Sequence, residues 1–219
     1  MTASLSSIPG FERLSGIPLY VPGKPIQEVQ RELGLTRIVK IASNENPWGP
    51  TEAVKARVAS VIAGSEFEGL GLYPVSDGYY LRKRIADRKG LSVDRVVLGN
   101  GSSEILEMVA KAAFLGGGSA VIPKHSFAIY GIATQTAGGR VIESRASATE
   151  LDVDDLLRCV AEDTRLVYLA NPNNPTGAIY PEAVRRQLIE FALDRNRVIL
   201  ADEVYGDLGF AGSVPALGA

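Results

Sequence analysis

Leu166-Val167-Tyr168-Leu169-Ala170 runs directly into Asn171-Pro172-Asn173-Asn174-Pro175-Thr176-Gly177. The first five residues are apolar without polar alternation, the pattern of a strand covered on both faces. The next seven hold two X-Pro steps, which restrict both the prolines and the residues before them and predict an extended, rigid loop. An ordinary Pro/Asn turn is the plainer reading, but a turn needs fewer constraints than this. Outward from this stretch the same grammar repeats. Arg95–Leu98, Ala120–Ile122, Val141–Glu143 and Val198–Ala201 read as short aliphatic strands. Ser103–Phe114, Phe127–Ala137, Val153–Ala161 and Pro181–Arg195 read as helices, the last with proline at its first position. Strand–helix alternation predicts an α/β fold: a mostly parallel sheet with right-handed crossovers and helices on both faces. Ligands of such sheets bind beyond the carboxyl ends of the strands.

Upstream the periodicity is different. Residues 1–49 are rich in Pro and Gly and read as an arm, with one short helix at Gln27–Leu35. From residue 50 the main domain begins. Val54, Val58, Val61 and Ile62 fall on one helical face, Gly64–Gly71 is a Gly-rich loop, and Tyr79–Lys89 is a basic helix closed by Gly90. With 23 basic and 25 acidic residues the net charge is −2, which argues against a nucleic-acid partner held by bulk charge. One cysteine, Cys159, and one histidine, His125, argue against a disulfide framework and against a multi-Cys or multi-His metal site. No apolar run reaches the length of a membrane span, and Met1–Gly10 lacks a signal-peptide pattern, so a cytoplasmic protein without a membrane partner is expected.

Three polar clusters fall at predicted strand ends. Gly99-Asn100-Gly101-Ser102-Ser103-Glu104 joins a strand to a helix. Its glycines allow close backbone approach, and the helix start aims free N–H groups outward, which suits a phosphate. By itself it also reads as a helix start capped by a serine. It is not a Walker loop, since no Gly-Lys-Ser/Thr follows. The second cluster is Asn171–Gly177. The third, Ala201-Asp202-Glu203-Val204-Tyr205, places a carboxylate and a phenol three residues apart. That pair can hold a protonated ring nitrogen and a ring hydroxyl, or serve as a capping Asp beside a half-buried Tyr.

Together the clusters resemble the fold-type I aminotransferases that use pyridoxal 5′-phosphate, and more closely the histidinol-phosphate aminotransferases. The resemblance rests on Asn171–Gly177 and Ala201–Tyr205, with further matching blocks at Tyr20–Pro25, Gln30–Gly34, Lys40–Pro47, Tyr73-Pro74, Gly99–Glu104 and His125–Tyr130. It runs from about Tyr20 to Tyr205. In its terms, residues 1–49 are an N-terminal arm and small-domain segment, and residues 50–219 are part of the cofactor-binding large domain. It implies that Gly101, Ser102 and Ser103 bind the cofactor phosphate and that Phe127 stacks on the pyridine ring. It also implies that Asn174 and Tyr205 hydrogen-bond the ring's 3′ oxygen and that Asp202 pairs with the pyridinium nitrogen. Tyr73 would reach the phosphate of the neighbouring subunit's cofactor in a homodimer, and Asn44 would lie near a small-molecule substrate. The activity implied is transfer of an amino group between L-histidinol phosphate and 2-oxoglutarate in histidine biosynthesis. Related transaminases of aromatic amino acids remain as an alternative.

The family's Schiff-base lysine lies downstream of the Asp-x-x-Tyr segment, whereas the last lysine here is Lys124. No catalytic residue and no metal ligand is therefore assigned. The sequence resembles the N-terminal part of such an enzyme, and a chain of this extent is expected to be inactive and aggregation-prone by itself. A catalytically silent or split-gene subunit is the second alternative. Plainer roles are expected elsewhere: His125 as a loop residue, Cys159 in core packing, and Arg82, Lys83 and Arg84 on a solvated face.

Overall fold

The computed structural model describes residues 12–64, 71–145, 151–210, 214 and 216, so most of the predicted Gly64–Gly71 loop lies outside the described residues. By internal contacts the chain divides into two compact units. One is Val21–Leu98; the other is Gly99–Ala219 with Met1–Tyr20.

Among the described residues of Val21–Leu98 there are three α-helices, α1 (Ile26–Leu33), α2 (Glu52–Ile62) and α3 (Tyr79–Lys89). Each has a local cause for one of its ends. Gly34 and Gly90 take left-handed backbone angles at the ends of α1 and α3, which an L side chain adopts only under strain. Thr51 opens α2 by accepting the Val54 amide on its side chain. The predicted strand Arg95–Leu98 is not a strand. Val93–Arg95 is a 3-10 turn, and the guanidinium of Arg82 donates to the carbonyls of Val96 (2.8 Å) and Val93 (2.9 Å). An arginine from α3 thus occupies one backbone acceptor of the predicted strand, the Val96 carbonyl, and one in the turn before it. It also corrects the expectation of a solvated face for Arg82, which is a structural pin; Lys83 and Arg84 are exposed as expected, with Lys83 paired to Asp87 at 2.7 Å on the surface.

The second unit holds α4 (Gly101–Phe114), β1 (Ser119–Pro123), α5 (Ile129–Thr136), β2 (Arg140–Ser144), α6 (Val153–Arg158), β3 (Thr164–Ala170), α7 (Glu182–Arg195) and β4 (Val198–Asp202). Among the described residues the sheet is four-stranded rather than five, in the order β2-β1-β3-β4, and every pairing is parallel. β1 is buried along its whole length, and β3 at all but Arg165. That burial explains why these strands carry no polar alternation. Successive side chains still part to opposite faces. Ala120, Ile122, Leu166, Tyr168 and Ala170 pack with Leu106, Ala110 and Phe114 of α4 and with Tyr130 and Ala133 of α5. Val121, Val167 and Leu169 pack on the other face with Val153 and Leu156 of α6 and Leu188 of α7. Cys159, just past α6, is packed against this second core, where burial pushes its thiol pKa up. Pro181 lies one position before α7 instead of opening it, with ψ of 154°.

The turn into β1 is closely fitted. Gly118 has φ of +112°, and a Cβ there would lie 2.9 Å from the Asp163 carbonyl oxygen. That carbonyl accepts the Ser119 amide at 3.0 Å beside the β1–β3 pairing, so it cannot retreat freely. Gly118→Ala is expected to destabilise the protein by about 1–3 kcal/mol, the usual range for a residue forced into a sparsely populated backbone region. Urea unfolding followed by circular dichroism measures this; an unchanged midpoint would contradict the strain.

Candidate functional site

The carboxyl edge of the sheet gathers most of the predicted residues. β3 and β4 are paired with Ala170 opposite Asp202, and the Asn171 amide continues the ladder by donating to the Asp202 carbonyl at 2.9 Å. The loop after β3 and the residues ending β4 therefore start from neighbouring points on one edge.

The 171–177 loop holds its shape through its own hydrogen bonds. The Asn171 side-chain oxygen accepts the Tyr180 amide at 3.0 Å, which closes the excursion at its base. The Asn173 amide donates to the Ala178 carbonyl (2.8 Å), and its carbonyl accepts the Gly177 amide (2.7 Å). The Asn173 side chain donates to Thr176 Oγ1 and to the His125 carbonyl, both at 2.8 Å. This last bond ties the loop after β3 to the loop after β1, which carries Phe127. Both prolines follow cis peptide bonds. Asn174 lies in the middle of the loop, partly buried.

Asp202 ends β4. Its Oδ2 accepts the Tyr130 hydroxyl at 2.8 Å, and its Oδ1 accepts the Val204 amide at a longer 3.3 Å. Tyr130 is completely buried, and burial first, then the adjacent carboxylate, pushes its pKa far above the ordinary phenol value. It is a permanent donor to Asp202. Tyr205 follows three residues after Asp202, partly buried at the start of the 3-10 turn Gly206–Leu208. Phe127 is packed against the first core, with its ring edge-on to Tyr130 (5.8 Å between centroids, 89°) and Tyr20 (6.1 Å, 82°).

The start of α4 belongs to the same unit. Arg165, near the start of β3, donates to the Ala113 and Gly116 carbonyls, which fixes the end of α4 at the amino edge of the sheet. At about 1.5 Å per residue the helix is roughly 21 Å long, so its first turn projects back toward the carboxyl edge. Gly101 opens the helix with φ of +74°, and the space a Cβ would enter is empty within 4 Å. The glycine is needed for its backbone angle. Ser102 and Ser103 stand partly buried in that turn. Neither serine is the cap: the N-cap position is Asn100, whose amide and side chain both donate to Glu104 Oε2.

Two predicted residues fall in the other unit. Tyr73 is fully exposed within Val21–Leu98, and Asn44 is exposed there as well. Sequence reasoning gave no role to Tyr130, Asn171 or Asn173. Tyr130 lies three residues after Phe127, a helical neighbour spacing that could have flagged it. Among the described residues no group of His, Cys, Asp or Glu could hold a metal ion, and no helix is long and apolar enough to cross a membrane.

Comparison with known proteins adds to this geometry. Histidinol-phosphate aminotransferase 1 of Cupriavidus pinatubonensis is 41% identical over 200 residues, covering 90% of this chain and 52% of that protein. Histidinol-phosphate aminotransferase of Stutzerimonas stutzeri is 42% identical over 204 residues, covering 91% and 52%. The chain thus spans about half the length of the curated relatives it matches. Among solved structures, aspartate aminotransferase from Thermus thermophilus with maleate superposes with a TM-score of 0.79 at 22% identity, covering 94% of this chain and 56% of that one. Histidinol-phosphate aminotransferase from Sinorhizobium meliloti, solved in complex with pyridoxal-5′-phosphate, gives 0.77 at 23%, covering 97% and 55%. These likenesses show the fold, that of the fold-type I aminotransferases. The family model described as aminotransferase class I and II matches residues 36–217, and with most of its length inside that match the chain belongs to the aminotransferase class I and II family.

Proposed function

We propose that this chain is the cofactor-holding portion of a pyridoxal 5′-phosphate-dependent transaminase that acts on L-histidinol phosphate and 2-oxoglutarate in histidine biosynthesis. The observation that carries the reading is the carboxylate of Asp202 at the end of β4, bonded to Tyr130 and one ladder step from the loop that holds Asn174. The fit to the cofactor is chemical. An open helix start with a left-handed glycine suits a phosphate, so Gly101, Ser102 and Ser103 would hold that end. Phe127 would cover one face of the ring. Asn174 and Tyr205 would hydrogen-bond the 3′ oxygen, and Asp202 would keep the ring nitrogen protonated. When bound, pyridoxal 5′-phosphate supplies the electron sink that amino-group transfer needs; the protein supplies position and charge.

The substrate part of the reading is supported by the relatives, several of which carry the name histidinol-phosphate aminotransferase at about 40% identity. Asn44 would lie near the substrate. A homodimer belongs to the same proposal, since the exposed Tyr73 would reach the neighbouring subunit's cofactor phosphate. So does a cytoplasmic location, which suits two charged, water-soluble substrates.

Titrating the chain with pyridoxal 5′-phosphate and following the cofactor absorbance tests the reading. Saturable binding that inorganic phosphate weakens is expected. Borohydride added to the complex should leave no cofactor-sized mass on any lysine near the site, because Lys124 is the last lysine in the sequence and lies outside the family's lysine motif. Specific labelling of Lys124 would overturn the assignment of roles. In a protein extending this chain to its relatives' length, transfer from L-histidinol phosphate should exceed transfer from aromatic amino acids.

A further inference from the structure

The Asp202 carboxylate is reached by a residue with no freedom to choose another partner. Tyr130 is buried, and its ring is stacked on Tyr168 of β3 with centroids 4.9 Å apart and planes 12° from parallel. Phe127 closes its other flank edge-on. A ring clamped in this way delivers its hydroxyl to one fixed point, and Asp202 Oδ2 lies there at 2.8 Å. Among the described residues the other oxygen, Oδ1, has only the long bond from the Val204 amide. A short bond from a donor fixed in place holds the carboxylate in one rotamer.

Building on the function proposed above, we infer that Tyr130 is the positioning residue for Asp202: by holding Oδ2 it commits Oδ1 to the protonated nitrogen of a heteroaromatic ligand. The same ring touches Phe127, so one buried side chain sets both the residue proposed for the ring face and the residue proposed for the ring nitrogen. The chemistry recognised is a planar, cationic N-heterocycle.

Tyr130→Phe tests this, since it keeps the packed ring and removes only the hydroxyl. Tyr168→Phe is the control: the Tyr168 hydroxyl is buried and makes no bond to Asp202. The probe is pyridoxamine 5′-phosphate, which needs no lysine to bind. Two readouts are taken on the full chain, the dissociation constant and the pH dependence of the bound probe's absorbance, which reports protonation of the ring nitrogen. Tyr130→Phe is expected to weaken binding about tenfold, the scale of one hydrogen bond to a charged group, and to move the absorbance transition to lower pH. Tyr168→Phe should do neither. Tyr130→Phe placed in an Asp202→Ala background should weaken binding no further, because the acceptor that Tyr130 positions is gone. A general loss of packing would weaken binding without moving the absorbance transition. If Tyr130→Phe matches the parent in both readouts while Asp202→Asn weakens binding, the inference fails and the proposed function stands. If the parent chain does not bind the probe, or Asp202→Asn binds it equally well, the proposed function fails and the inference falls with it.

Discussion

Phe114→Ala is expected to lower the unfolding free energy by about 3–5 kcal/mol, the range for truncating a buried aromatic ring. Phe114 is 1% exposed and ends the buried row of α4, after Leu106 and Ala110. What makes its loss costly is the wall it faces. A Cβ placed on Gly139 would come within 2.7 Å of the Phe114 ring, so the ring already rests against bare backbone. That backbone is pinned: the Gly139 amide donates to the Thr134 carbonyl at 2.8 Å, and the Arg140 amide to the Gly118 carbonyl at 2.9 Å. A wall held on both sides cannot collapse into the space the ring leaves, and a persistent cavity adds to the lost transfer energy. Against a typical total of about 5–15 kcal/mol, the variant should be partly unfolded at modest denaturant. Phe114→Leu, which keeps most of the volume, should cost less than about 1.5 kcal/mol. Urea unfolding by circular dichroism distinguishes the two; equal midpoints for both variants would show that the wall relaxes.

How much of this was readable in the chain follows from where each constraint is local. β3 was readable because burial on both faces demands an unbroken apolar run, and its neighbours to either side ask for nothing else. The end of α3 was readable because Gly90 alone supplies the left-handed cap. The segment at residues 95–98 has the same aliphatic look as a strand, but its Val96 carbonyl is taken by Arg82, more than ten positions away, whose guanidinium also holds the Val93 carbonyl. Propensity carries no record of such a donor. Gly101 and Asp202 announced themselves by type, a glycine at a helix start and an acid at a strand end. Tyr130 did not, because an aromatic residue on an apolar helix reads as core, and it is core; only its hydroxyl on Asp202 gives it a second duty. The three asparagines of the 171–177 loop look alike in sequence. In the fold Asn171 closes the base and Asn173 ties the loop to the His125 carbonyl, so their division of labour is a tertiary fact.

Asp202→Ala is expected to weaken pyridoxamine 5′-phosphate binding by about 30-fold to several thousand-fold, the span set by roughly 2–5 kcal/mol for removing one partner of a buried, hydrogen-bonded charge pair. Two losses combine. In the proposed complex a ring nitrogen that keeps its proton has lost the anion opposite it, and in the free protein the buried Tyr130 hydroxyl has lost its acceptor. The second loss does not depend on the ligand, so it should appear as reduced stability of the chain alone. The first should appear as a pH-dependent loss of affinity, steepest where the probe's nitrogen is protonated and smallest where it is neutral. Asp202→Asn separates them, because its amide oxygen still accepts from Tyr130 but carries no charge. It should recover most of the stability and little of the affinity. Isothermal titration across pH, paired with urea unfolding of the same samples, gives both numbers. Equal affinities for Asp202→Asn and the parent would mean that charge at the end of β4 plays no part in holding the ring.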